Sequence, residues 1–176
     1  MSELKELAAE AKHELLTHII PFWRGMRDDK FGGYYGYLSY DLALDEKAEK
    51  GCILNSRITW FFANAYLLYK DGGISEEECE AAGFKGEDLL AEAKHGYEFL
   101  REHCIDKEYG GIFWSLNYDG TPLDTTKHTY NQAFAIYALS SYYEAAHDDE
   151  ALELAYDLYN IIETKCRDEK GYLEAF

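Results

Sequence analysis

Basic residues are scarce in this chain: 17 Lys and Arg stand against 34 Asp and Glu, giving a formal charge of −17. Nucleic acid and anionic membrane surfaces both attract basic patches, so neither is an expected partner. There is no apolar run long enough to span a bilayer. The start, Met1-Ser2-Glu3-Leu4-Lys5, has neither the basic stretch nor the apolar core of a signal peptide. Cys52, Cys79, Cys104 and Cys166 form no CxxC pair, and no histidines stand at metal-ligand spacing. The expectation is a soluble, cytoplasmic protein with reduced structural cysteines and no metal, acting on a neutral small molecule.

What the chain has in quantity is aromatic surface and repetition. Sixteen Tyr, nine Phe and three Trp make 16% of its 176 residues. Flat side chains with a polar tip suit sugars, whose C–H faces stack while their rims hydrogen-bond, although such residues also fill ordinary cores. Many of them sit in repeated loops. Asp28-Asp29-Lys30-Phe31-Gly32-Gly33-Tyr34-Tyr35-Gly36 is echoed by Asp106-Lys107-Glu108-Tyr109-Gly110-Gly111-Ile112-Phe113-Trp114 and, in shorter form, by Asp168-Glu169-Lys170-Gly171-Tyr172. Repetition of this kind signals one supersecondary unit used several times, with its loops on one face.

The helical pattern agrees. A first helix is predicted from about Ser2 to Ile20, with Leu4, Leu7, Ala8, Ala11, Leu15 and Ile19 as its inward stripe and Pro21 as its end or a kink. Tyr34–Tyr40 and Lys47–Leu54 read as the strands of a small β-hairpin in the first long loop. Asn55 or Ser56 is the expected cap of a nearly all-apolar helix running to about Tyr69. Ser75-Glu76-Glu77-Glu78 reads as a capping box that starts a short surface helix. An amphipathic helix follows over Leu89–Cys104, an apolar one over Lys127–Ala146 and an amphipathic one over Glu150–Lys165. Alternation of amphipathic and all-round apolar helices implies an outer and an inner ring, a helical toroid. Arg57 and Tyr130 then open successive inner helices at one rim, where the helix N-termini favour a developing anion.

Four motifs carry a resemblance. Ile19-Ile20-Pro21-Phe22-Trp23, Gly32-Gly33-Tyr34-Tyr35-Gly36, Lys50-Gly51-Cys52-Ile53-Leu54-Asn55-Ser56-Arg57-Ile58-Thr59-Trp60 and Lys127-His128-Thr129-Tyr130-Asn131-Gln132-Ala133-Phe134 resemble, in order, the N-terminal part of the N-acylglucosamine 2-epimerase family, nearest to its cellobiose 2-epimerase branch. Asp71–Glu87 is a longer connection than the family usually has there. The resemblance implies an all-α (α/α)6 barrel, with residues 1–176 as the N-terminal part of one barrel domain: about five helices, broken off after the fifth. It also implies a sugar 2-epimerase that interconverts reducing-end glucose and mannose in a β-1,4-linked disaccharide such as cellobiose. No cofactor is needed for this sugar class, although some N-acylglucosamine relatives use ATP as an effector.

By the same resemblance Arg57 is the catalytic arginine that contacts the C1 and C2 oxygens, and Tyr130 lines the substrate cleft. Trp114 and Asn131 are weaker matches, as a stacking wall and a hydroxyl partner. The family's acid/base histidines have no counterpart here. His13, His18, His95 and His147 fall on outer helices or at a helix end, and His128 is near the rim without matching the base. The isolated chain is therefore expected to be inactive, with an exposed inner-helix face that favours self-association. Two other readings fit the residues. One is a non-catalytic, sugar-binding fragment. The other is an (α/α)6-barrel glycoside hydrolase, which would need two carboxylates facing the cleft, with Asp41, Asp45 and Asp124 near the rim.

Overall fold

The computed structural model describes residues 3–175. Five long helical stretches dominate it. The first is α1 (Glu3–Glu14), continued by a π-helical turn (Leu15–Ile19) and α2 (Ile20–Gly25). Then come α3 (Cys52–Lys70), α5 (Gly86–Phe99) with its own π-helical turn (Leu100–Cys104), α6 (Thr129–Ala146) and α7 (Asp149–Lys165). The short helix α4 (Glu76–Ala81) starts at the expected capping box: Ser75 Oγ accepts from Glu78 N–H while the Glu78 carboxylate accepts from Ser75 N–H.

Pro21 does not end the first helix. It sits in the first turn of α2, where a proline N–H is not required, just past a turn widened so that Ile20 N–H reaches Leu15 O. The inward stripe expected on this helix is also corrected. No residue of α1 is buried, and Leu4 and Leu7 are 78% and 61% exposed. The residues of this first stretch buried in the core are Leu16 and Ile20; of the expected stripe Leu15 packs against the core, partly buried. The expected start at Ser2 lies outside the described residues.

Helix α3 packs on both α5 and α6, and α6 packs on α7. Gly96 brings α5 close to α3, since a Cβ there would fall 2.2 Å from Thr59 Oγ1. Tyr97 and Tyr142 stack at 4.3 Å across α5 and α6. Phe62, Leu89, Leu139 and Leu158 are sealed in the same core. Each contributes roughly 1.5–3 kcal/mol relative to an exposed position.

The hairpin of the first loop shrinks to a single antiparallel bridge, Leu38–Leu44. The strand expected over Lys47–Leu54 is reduced to β1 (Lys50–Gly51), which pairs not locally but with β2 (Ser115–Leu116) of the second long loop. Strand β3 (Pro122–Asp124) completes this three-stranded antiparallel sheet. The third loop forms a two-stranded ribbon, β4 (Arg167–Asp168) with β5 (Gly171–Tyr172).

The start of α3 also differs from expectation. The helix begins at Cys52, so Asn55 and Ser56 lie inside its first turns, not at its cap. Asn55 instead clamps the first loop, its Oδ1 accepting from Tyr34 N–H at 2.9 Å while its Nδ2 donates to Gly51 O. Gln132 of α6 does the same for the second loop, accepting from Ile112 N–H and donating to Ile112 O. A buried ion pair accompanies each clamp. Lys50 Nζ lies 2.6 Å from Asp28 Oδ2 and 2.7 Å from Gly32 O, and Lys127 Nζ lies 2.6 Å from Asp106 Oδ2. Gly33 and Gly111, at φ +66° and +83°, make the turn that exposes these groups to their clamps.

Candidate active site

The two inner helices, α3 and α6, share an open groove of about 520 Å³. From α3 it is lined by Leu54, Arg57, Ile58, Trp60 and Phe61, from α6 by Tyr130, Phe134 and Tyr137, and from α2 by Trp23. On each helix these positions recur at three- and four-residue spacing, which puts them on one face. So the inner helices are not buried all round: the face that carries Arg57 and Tyr130 is open.

Arg57 is exposed, in the second turn of α3, and makes no ion pair with any described residue. Its guanidinium lies 6.0 Å from the centre of the Phe134 ring, within cation–π range. Trp60 and Tyr137 stack at 4.7 Å with their planes 18° apart, forming the floor between the helices. Burial raises the Tyr137 phenol pKa, with the Arg57 charge pulling the other way. Tyr130 is 58% exposed and leans edge-on against Phe134 at 4.8 Å. The groove thus presents a planar cation, a phenol and flat apolar walls, and none of its lining residues is Asp, Glu or His.

Trp114 stands at the N-terminal rim, outside the groove lining. Its ring lies 4.6 Å from that of His128, the residue that precedes α6. Its carbonyl accepts from Cys52 N–H, so it covers the start of α3. Asn131 is placed behind the groove wall: it is fully buried, and its Nδ2 donates to Phe113 O. Its Oδ1 has no partner among the described residues. Arg57 and Tyr130 therefore share the groove, while Trp114 and Asn131 do not. Trp23, Trp60, Phe61, Phe134 and Tyr137 also line it without standing out in the sequence as site residues. The spacings 57/60/61 and 130/134/137 are the signal that would have found most of them.

The histidines are placed elsewhere. His13 and His18 are exposed on the first helix, and His95 bonds Gly33 O through Nε2 at 2.8 Å. His147 ends α6 in the left-handed region. The rim aspartates are turn residues: Asp41 accepts from Ser39, Asp45 from Lys47 N–H and Asp124 from Thr126 N–H. No helix of the described residues is long and apolar enough to cross a membrane, and no His/Cys/Asp/Glu cluster among them could hold a metal.

Known proteins share both sequence and architecture. A cellobiose 2-epimerase of Ruminococcus albus is 54% identical over 97% of this chain. A solved sugar epimerase from a ruminal bacterium superposes with a TM-score of 0.86 at 54% identity over 97% of this chain. The cellobiose 2-epimerase of Bacillus thermoamylovorans superposes at 0.87 with 40% identity over 98% of it. These similarities show the (α/α)6-barrel fold. The chain spans only about 40% of the length of each of these relatives. Residues 33–175 match the profile of the N-acylglucosamine 2-epimerases, and the chain belongs to that family.

Proposed function

We propose that this chain forms one wall of the active site of a sugar 2-epimerase acting on the reducing-end glucose of a β-1,4-linked disaccharide such as cellobiose. The observation that carries the reading is the unpaired Arg57 guanidinium in a carboxylate-free groove walled by Trp60, Tyr130 and Tyr137. In the ring-opened sugar the C2 proton is acidified by the C1 aldehyde. Its removal gives an enediolate whose negative charge spreads over C2 and O1, while O2 keeps its hydroxyl proton. A planar guanidinium donates to O1 and O2 at once, and its bond to O1 strengthens as charge develops. Returning the proton to the opposite face inverts C2. The Trp60–Tyr137 stack offers a surface for the C–H face of a pyranose, and the Tyr130 phenol a partner for a hydroxyl. No histidine or carboxylate lines this groove, so the proton-transferring groups belong to a part of the barrel outside the described residues. A cytoplasmic location accords with the chemistry of a free disaccharide substrate.

A hydrolase reading fares worse. It requires two carboxylates across the scissile bond, about 5–10 Å apart, and the groove lining has none.

The test is a fluorescence titration with cellobiose, since Trp23 and Trp60 line the groove. Saturable quenching with a Kd on the order of 1–10 mM is expected, weakened about tenfold or more in Arg57→Ala with an unchanged circular dichroism spectrum. The chain alone should incorporate no deuterium at C2 of cellobiose in heavy water. Absence of any response, or an equal response from Arg57→Ala, would refute the assignment.

A further inference from the structure

The first repeated loop encloses a second cavity, of about 230 Å³, which shares no lining residue with the groove. At its base the Asp28 carboxylate is fully engaged: Oδ1 accepts from Lys30 N–H and Phe31 N–H, and Oδ2 from Lys50 Nζ. The walls are aromatic. Phe31 and Tyr35 come from the first loop, and Tyr118 arrives from the turn between β2 and β3 of the second. Tyr118 meets Phe31 edge-on, with the ring centres 5.3 Å apart and the planes at 85°. All three aromatic residues are half-buried, so part of each remains open.

Three charged side chains complete the lining: Lys30, Glu46 and Lys47, all exposed. Lys30 Nζ lies 4.8 Å from the centre of the Phe31 ring, and none of the three makes an ion pair with a described residue. Two such lysines suggest a phosphate. The field at the cavity wall opposes it: burial, then the charges of Asp28, Glu46 and Asp29, raise the Tyr35 phenol pKa. A cationic ligand fares no better, since it meets two ammonium groups. What fits is a neutral molecule with C–H faces for the rings and hydroxyls that accept from the lysines and donate to Glu46. A pyranose has this make-up. The cavity is smaller than the roughly 300–1,000 Å³ of sites for drug-sized ligands, which limits it to one ring.

We infer that this cavity is a second carbohydrate site, separate from the groove, that takes one neutral pyranose ring between Phe31 and Tyr118. The ring's C–H face lies against the two aromatic side chains, while its hydroxyls reach Lys30, Glu46 and Lys47. The pyranose is either a free hexose or the terminal unit of an oligosaccharide. The assignment does not depend on the chemistry proposed for the groove, because no residue is common to both linings.

The test is a titration of the 15N-labelled protein with methyl β-D-glucopyranoside, followed through its amide chemical shifts. The methylated C1 oxygen prevents ring opening, so the probe reports binding alone. Saturable shifts are expected at the amides of Phe31, Tyr35, Lys47 and Tyr118, with a Kd on the order of 1–30 mM. Arg57→Ala should leave this response unchanged, and so should added salt, since the ligand carries no charge. Tyr118→Ala should weaken binding about fivefold or more with the remaining spectrum preserved. Lys47→Met, which keeps the aliphatic stem and removes the donor, should weaken it about twofold or more. Cellotetraose binding more tightly than the glycoside at the same amides would support the site and assign it to the end of a chain; equal binding would support it for single hexoses. No shift at these amides, an undiminished response in both variants, or tighter binding of inorganic phosphate there would each overturn the inference.

Discussion

Replacing Lys50 by Met removes the cation from the first clamp and leaves its partner in place. Lys50 and Asp28 have side chains 0% and 1% exposed with their charged atoms 2.6 Å apart. After the substitution the Asp28 carboxylate keeps the N–H groups of Lys30 and Phe31, at 2.9 and 3.0 Å, but it is buried without a counter-charge. Gly32 O loses its donor as well. Breaking a buried pair from one side costs about 3–5 kcal/mol, which for a chain of this size lowers Tm by roughly 6–20 °C. The pH dependence gives a sharper signature. In the parent protein burial alone would raise the Asp28 pKa, but Lys50 and the two N–H groups bring it below the ordinary value. That contribution is present above the unfolded-state pKa near 4 and is lost as pH falls through the lower folded value. Without Lys50 only the two N–H groups still offset burial, and the folded pKa rises above its value in the parent protein. The variant's deficit is therefore greatest at neutral pH and shrinks as pH falls towards 4. Urea melts of both proteins at pH 7 and 4.5 measure this. A deficit below about 1 kcal/mol, or one independent of pH, refutes the reasoning.

Three further outcomes follow from the same structure. Gly33→Ala should cost about 2 kcal/mol or more in urea melts, because the residue sits at φ +66° and a Cβ would fall 2.6 Å from Asn55 Oδ1 and the Phe99 ring. Ser75→Ala should lose about 1 kcal/mol by removing half of the capping box, and Ser75→Asp should retain most of it. Arg57→Ala should leave urea stability within about 0.5 kcal/mol of the parent, since the guanidinium is exposed and makes no ion pair with a described residue. A larger loss would make Arg57 a structural residue.

The helices are legible in the sequence because their signals are local. The capping box at Ser75, the amphipathic stripe of α7 and the apolar spans of α3 and α6 are all written within a few residues. The strands are not. Lys50–Gly51 finds its partner more than sixty residues away, so a local alternation over Lys47–Leu54 points to the wrong neighbour. Asn55 reads as a cap for a related reason: a short polar side chain near a helix start has two uses, and only the loop folded against it decides between them. The stripe expected on the first helix has the right period, but Leu4 and Leu7 are exposed and only Leu15 of it packs against the core; period alone does not say how much of a face is covered. At the site, Arg57 and Tyr130 do share the groove, but not from equivalent places: in the register that matches Lys50 with Lys127 and Asn55 with Gln132, Arg57 corresponds to Phe134. Asn131 is the next residue after Tyr130 and turns about 100° around the helix, enough to carry it from the groove into the wall.

The second loop is held from ahead by Gln132 and Lys127 and from behind by Cys52 and β1, and this two-way grip bears on how such a chain could have lengthened. A loop is closed only by the helix behind it and the helix ahead, so a cut between any two helices leaves one loop half made. Duplicating a bare helix pair would add an edge with nothing to receive it. The unit that can be copied without loss runs from the middle of one loop to the middle of the next, out of step with the helix boundaries. An insertion that respects that offset joins both neighbours at once. One that ignores it leaves a buried aspartate or an amide without its counterpart.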